Sequence, residues 1–167
     1  HLLFVASLML IVRGWRMLLE TITAFTVAHS ITLALATFGL VSLPPAPLET
    51  MIALSIVLVA VEAIRLRRGE TSIAIQWPWL VAFAFGLLHG FGFAGALTEI
   101  GLPQGDIPLA LLFFNIGVEL GQILFIAIIL AVTFAVSRLV RIPRAAPIAP
   151  AYAIGTIASF WVFERLD

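Results

Sequence analysis

The stretch Phe85-Gly-Leu-Leu-His-Gly-Phe-Gly-Phe-Ala-Gly-Ala-Leu97 decides the fold, because it is apolar enough to lie in a bilayer yet carries His89 at its centre. Gly86 and Gly90 are four residues apart, so they fall on one helix face, where a second backbone can approach closely. A histidine at mid-membrane depth needs a partner or water, since an unpaired polar group in hydrocarbon costs roughly several kcal/mol. We therefore expect a functional site at His89.

Composition places the whole chain in the membrane class. Of its 167 residues, 62 % are hydrophobic and 11 % are charged, and the mean hydropathy is +1.17. These values predict an all-α polytopic transmembrane helical bundle that forms a single domain over residues 1–167. We expect the lipid bilayer as a partner and no nucleic acid. The chain contains no cysteine, which excludes thiolate metal sites and thiol redox chemistry.

About six apolar spans follow one another along the chain. A span needs about 20 residues, so the first is either short or lacks its start, and we expect an excerpt of a longer chain with a missing N-terminal part. Pro44 and Pro45 predict a helix-breaking turn between the second and third spans, and the segment 99–107 predicts a polar loop between the fourth and fifth. The predicted spans are 1–12, 18–43, 48–64, 77–98, 108–136 and 147–163.

The distribution of arginine predicts the topology. Eight of the nine basic residues lie between spans 1 and 2, 3 and 4, and 5 and 6. By the positive-inside rule these loops are cytoplasmic and both visible termini lie outside, as in a multi-pass protein of the inner (cytoplasmic) membrane. Glu62, near the cytoplasmic end of its span, is expected to pair with Arg65 or Arg67. Glu49 and Glu99 lie at the outer boundary, either as plain surface charges or as an acidic lip that attracts cations.

Three spans bring polar side chains to similar depths. His29 lies about 15 Å and His89 about 18 Å from the cytoplasmic ends of their spans, and Glu119 lies about 17 Å from the outer end of its span. Asn115 and Gln122 share a helix face with Glu119. Imidazole suits zinc, nickel and copper(II), and carboxylate or amide oxygens can complete the ligand shell. The set predicts a divalent-cation site, although hydrogen bonds that hold the helices together would also explain it. We expect the glycine pairs to serve packing rather than ligand binding.

Four blocks of sequence are long enough to be specific. They resemble the HupE/UreJ membrane proteins, in the second of their two sequence groups, and the resemblance covers roughly residues 1–137. It implies a nickel permease or a hydrogenase/urease accessory role, with histidines that bind nickel. The blocks are Phe25-Thr-Val-Ala-His-Ser-Ile-Thr-Leu-Ala-Leu35, Ile52-Ala-Leu-Ser-Ile56, Phe85-Gly-Leu-Leu-His-Gly-Phe-Gly-Phe-Ala-Gly95 and Phe114-Asn-Ile-Gly-Val-Glu-Leu-Gly-Gln122.

The resemblance carries over to single residues. His1 matches the second member of an Asp-His pair that enters the first span of the family, and the Asp and a further upstream His have no counterpart here. The other matches are His29 with Ser30, His89 with Gly90, and Asn115, Gly117 and Glu119.

The leading functional hypothesis is a permease or metal-handling accessory protein for a divalent transition cation. Nickel as the substrate comes from the resemblance, and Zn²⁺ or Co²⁺ stay open because histidine suits all three. His29, His89, Glu119 and Asn115 would hold the ion, and His1 would lie on its outer approach with Glu99 and Asp106. Two alternatives remain, namely an intramembrane zinc-dependent hydrolase and a structural subunit with a polar interhelical cluster. We expect a non-enzyme, and a homo-oligomer is compatible with the sequence.

Overall fold

The computed structural model describes residues 1–100, 104–139 and 148–165, without the side chains of 95–100 and 104. Within these ranges the chain forms seven α-helices, one 3-10 turn at Gln104–Asp106 and no strand, which confirms the all-α prediction. The helices are α1 (Leu2–Ile11), α2 (Trp15–Thr37), α3 (Pro45–Arg67), α4 (Ile73–Gln76), α5 (Pro78–Ile100), α6 (Ile107–Leu139) and α7 (Ala149–Glu164).

Six of these helices occupy the six predicted spans, and α4 is a short addition to the loop before α5. In the described part of the chain, α2, α3 and α6 are long and apolar enough to cross a membrane, whereas Leu2–Ile11 and Pro78–Ala94 are shorter apolar helices. The ten residues of α1 extend about 15 Å, roughly half of a bilayer's hydrocarbon core. This length fits either prediction for the first span, namely a short helix or one that lacks its start.

Prolines and glycines set several helix ends. The third helix begins at Pro45, three residues before the predicted start, because proline is tolerated in the first turn, where its missing N–H has no helical partner. Gly14 precedes α2 with φ +91° and Gly69 follows α3 with φ +81°, a conformation that glycine adopts without steric cost. Arg141 and Arg144, which contribute to the predicted topology, lie outside the described residues.

The helices α2 and α5 form the most extensive pair in the bundle. A Cβ built on Gly86 would lie 2.6 Å from the carbonyl oxygen of Phe25, and one built on Gly90 would collide with Thr32 Oγ1 and the His29 carbonyl oxygen. The packing role predicted for this glycine pair is confirmed. The same prediction is wrong within this chain for Gly117 and Gly121 of α6, because a Cβ on either would meet no atom of the described residues within 4 Å.

The remaining helices complete the bundle around this pair. The helix α3 packs against α7 and α1, and a buried apolar core joins α1, α3, α5 and α7 to Phe25 of α2. The long helix α6 packs against α2 and α1, and most of its side chains are exposed, as suits a lipid-facing helix. Glu62 lies near the C-terminal end of α3, and its carboxylate pairs with Arg65 at 2.8 Å, as predicted. Ser72 donates a hydrogen bond to the other carboxylate oxygen of Glu62.

Candidate metal site

All three histidines of the chain converge at the centre of the bundle. The ring of His1, at the start of α1, lies 5.5 Å from the ring of His29 on α2 and 5.7 Å from the ring of His89 on α5, measured between centroids. His29 is completely buried and His89 almost so. His1 was expected on the outer approach, but it lies beside the other two imidazoles because α1 begins only about 15 Å above its arginine-flanked end.

Phenylalanine rings enclose this cluster, which we call the imidazole cluster (His1, His29 and His89). Phe25 lies 4.8 Å from His1 and 5.2 Å from His89, and Phe4 lies 4.8 Å from His89. Phe93 lies 5.4 Å from His29. Because these rings supply no strong hydrogen-bond acceptor, the polar atoms of the imidazoles depend on a few specific partners.

Ser55 of α3 is the partner of His89. Its Oγ lies 3.1 Å from His89 Nε2 and 2.6 Å from the carbonyl oxygen of Ile52. A serine hydroxyl carries one proton, and the carbonyl of Ile52 can only accept, so Ser55 donates to Ile52 and accepts from His89. The proton of neutral His89 then lies on Nε2, and the lone pair that can bind a metal lies on Nδ1.

Gln122 of α6 is the partner of His1. Its amide nitrogen lies 2.6 Å from His1 Nε2, and its amide oxygen accepts a hydrogen bond of 3.4 Å from Thr26 of α2. Gln122 is 1 % exposed although α6 is mostly exposed. This side chain therefore ties α6 to α2 and to the imidazole cluster.

His29 has no such partner. Its side chain is 0 % exposed, and neither ring nitrogen has a hydrogen-bond partner among the residues that the structure describes. The Nδ1 atom of His1, which carries the ring proton because Nε2 accepts from Gln122, also lacks a partner among the described residues. Buried polar atoms are normally hydrogen-bonded, and each unsatisfied one costs about 1–3 kcal/mol. A buried polar group of this kind calls for an explanation, and binding of an ion is one.

The spacing of the imidazoles is compatible with a shared metal ion. Two imidazole nitrogens at about 2.0–2.1 Å from one ion place the ring centroids roughly 5 Å apart, near the 5.5 and 5.7 Å seen here. However, no group of three or more His, Cys, Asp or Glu side chains in the described residues is arranged to hold a metal ion. The structure thus presents a cluster of imidazoles and not an assembled metal centre.

The carboxylate and amide predicted as ligands lie elsewhere on α6. Glu119 accepts a hydrogen bond of 2.9 Å from Thr23 on an exposed part of the α2–α6 contact. Asn115 donates to the carbonyl oxygen of Leu111 at 2.8 Å, and its own Oδ1 is buried without a partner. Asp106 is exposed, and the side chain of Glu99 lies outside the described residues. The assignment of Glu119 and Asn115 as ligands stays a prediction.

Two contacts at this site were not predicted. Ser55 contacts the imidazole of His89, and Thr26 donates a hydrogen bond to Gln122. A usable signal existed for Ser55, since it lies in an otherwise apolar span and in one of the blocks that carried the family resemblance. For Gln122, the signal was its offset of seven residues from Asn115, which placed it on the same helix face.

We expect Ser55→Ala to lower the free energy of unfolding by about 1–3 kcal/mol, because the His89 N–H then loses its buried acceptor. Ser159→Ala is the matched control, since Ser159 donates to the carbonyl oxygen of Gly155 at 2.8 Å much as Ser55 donates to that of Ile52. Thermal unfolding in detergent measures the loss of stability in both variants. Equal losses in the two would show that the contact with His89 contributes nothing.

The fold and the cluster define a polytopic helical membrane protein with imidazoles gathered inside its bundle. The chain belongs to the HupE/UreJ family, since the family model described as HupE / UreJ protein matches residues 1–165. The resemblance seen in the sequence is therefore confirmed, and it extends over essentially the whole chain. Comparisons with curated proteins and with solved structures gave no match.

Proposed function

We propose that this protein carries a divalent transition-metal cation, Ni²⁺ in the first place, across the cytoplasmic membrane for the maturation of a metalloenzyme such as a hydrogenase or urease. Membership of the HupE/UreJ family supports this class of function. The choice of nickel over cobalt or zinc rests on the family alone, because imidazole ligands suit all three ions.

The proposal rests on His29, which is fully buried, has no hydrogen-bond partner for either ring nitrogen within the described part of the chain, and lies 5.5 Å from His1 between ring centroids. A histidine that only held helices together would be expected to form a hydrogen bond. A metal ion would satisfy one nitrogen of His29 and the Nδ1 lone pair of His89, and His1 would join the ion through Nε2 once the Gln122 amide released it. Histidine ligates as the neutral ring, so metal binding is expected to weaken at low pH.

The surroundings of His1 favour a carrier over an enzyme. His1 lines a cavity of about 250 Å³ beside α3 and α7 and also a groove of about 400 Å³ along α6. The groove is apolar and lies on the lipid-facing helix, whereas the cavity has Glu49 and Arg165 in its lining and suits an ion that approaches the imidazole cluster from the end of the bundle. Glu119 and Asn115 of α6 would join the ion only by turning toward the imidazole cluster, since Glu119 now contacts Thr23.

The proposed setting is the inner membrane, with the arginine-rich loops in the cytoplasm. The partners proposed are the metal ion and the lipid bilayer. The oligomeric state stays a prediction.

We expect purified protein to bind Ni²⁺ in isothermal titration, and His29→Ala/His89→Ala to lose this binding by at least about tenfold, because two of its imidazole ligands are gone. Metal content after purification without chelator and Ni²⁺ flux into proteoliposomes complete the test. Circular dichroism and size-exclusion profiles like those of the native protein are the control for folding.

Each outcome separates the hypotheses. Binding with flux, both lost in the double variant, supports the carrier. One retained zinc with no flux indicates an intramembrane hydrolase. No binding by the folded native protein, or native flux in the double variant, would contradict the proposal and leave the imidazole cluster as a structural feature.

A further inference from the structure

A second feature lies at the end of the bundle that the arginine distribution predicts to face outward. The cavity of about 250 Å³ beside α3 and α7 connects a charged mouth to the imidazole cluster. It is lined by His1, Glu49, Ile52, Ala53, Ile56, Trp161 and Arg165.

The lining residues of α3 show that the cavity runs along this helix. Glu49 and Ile56 are seven residues apart, so they lie on the same helix face, separated by about 10 Å along the axis. Ile56 directly follows Ser55, whose hydroxyl contacts His89. The cavity therefore runs two helical turns inward from a carboxylate to the level of the imidazole cluster, where His1 borders it.

An ion pair lies at the mouth. Arg165 Nε is 2.7 Å from Glu49 Oε2, and the two side chains are 34 % and 49 % exposed. A pair so accessible to solvent contributes little to stability, so its position at the cavity mouth is not explained by folding. The pair is instead weak enough to be opened by a competing cation.

Arg165 has a second carboxylate within reach. Its Nη1 lies 4.0 Å from Glu164 Oε2. The guanidinium can therefore move from Glu49 toward Glu164 without losing an anionic partner. Among the described side chains, two carboxylates face one guanidinium at this mouth, and this excess of negative charge favours the approach of cations.

We propose that Glu49 is the entry ligand for a hydrated divalent cation, and that Arg165 holds this carboxylate until the cation displaces it toward Glu164. The proposal rests on the proposed carrier function and adds a binding site that precedes the imidazole cluster. Carboxylate oxygen is a suitable first ligand for a cation that still carries water. The cavity is large enough for the ion with several waters, each of which takes about 30 Å³ in the liquid.

The test measures Ni²⁺ uptake by the full-length protein in proteoliposomes as a function of Ni²⁺ concentration. We expect Glu49→Gln to raise the half-saturating concentration about tenfold and Arg165→Gln to lower it, because the first removes the entry ligand and the second removes its competitor. Glu70→Gln is the control, because Glu70 forms a similarly exposed ion pair with Arg65 at 3.9 Å and does not line the cavity, and its half-saturating concentration should stay near the native value. All three variants should keep the native unfolding temperature, since the ion pair is exposed.

Opposite shifts for Glu49→Gln and Arg165→Gln distinguish an entry site from a structural ion pair, which would weaken both variants in the same direction. Equal shifts in Glu49→Gln and Glu70→Gln would overturn the proposal, because the loss of one negative charge anywhere on the surface would then explain them. If the native protein carries Ni²⁺, His29→Ala/His89→Ala does not, and Glu49→Gln matches the native curve, the entry site fails while the carrier function stands. If the native protein carries no metal, both proposals fail.

Discussion

Gly90→Ala is expected to separate α2 from α5 and to lower the free energy of unfolding by about 3 kcal/mol, the upper end of the usual cost of overpacking. The added Cβ would collide with Thr32 Oγ1 and with the His29 carbonyl oxygen, and it would lie 3.0 Å from the backbone nitrogen of Leu33. Backbone atoms of a helix cannot move aside as a flexible side chain does, so the whole helix must shift. Unfolding by heat or by a denaturing detergent measures the loss.

Gly117→Ala is the control for this prediction. It makes the same chemical change inside a helix, but a Cβ there would meet no atom within 4 Å. It should leave stability unchanged or raise it by up to about 1 kcal/mol, because alanine is the better helix former. Equal losses in both variants would contradict the close α2–α5 approach. Since Gly90 follows His89 and abuts His29, the Gly90 variant should also bind Ni²⁺ more weakly, whereas Gly117→Ala should not.

His29→Leu is expected to make the metal-free protein more stable by about 1–2 kcal/mol, because it removes two buried nitrogens that have no hydrogen-bond partner. Leucine is apolar and close to histidine in volume, so it suits a position surrounded by Phe25 and Phe93. The same variant should lose the response to nickel. Native protein should gain about 2.7 kcal/mol at a metal concentration of 100 times Kd, and His29→Leu should gain little.

His89→Leu provides the comparison. His89 has a hydrogen-bond partner in Ser55, so its replacement removes a satisfied interaction and should not stabilise the metal-free protein. Melting curves with and without Ni²⁺ measure both effects in one experiment. A loss of stability in His29→Leu as large as in His89→Leu would contradict the view that His29 is kept for a ligand, and would favour an interhelical hydrogen bond instead.

Most helix ends follow from the sequence to within three residues, but α2, predicted to reach residue 43, ends at Thr37, just before Gly39 with φ +71°. Apolar runs separated by arginines, prolines and a polar loop predict six spans, since the hydrocarbon core requires long apolar helices whose backbone groups are satisfied internally. The glycine pair before and after His89 predicts a close helix contact because the spacing of four places both residues on one face. The helix α4 was not predicted, because a helix of four residues is too short to show periodicity.

The sequence by itself determined the class of the protein, its family and the histidines worth studying, because composition, span length and motif are local properties of the chain. Only the tertiary structure decided which partners those histidines have. Glu119 and Gln122 are three residues apart and differ by about 60° around the helix, so the rotation of α6 decides which one reaches His1. That rotation is set by packing against α2 and α1, and the structure turns Gln122 inward and leaves Glu119 on Thr23.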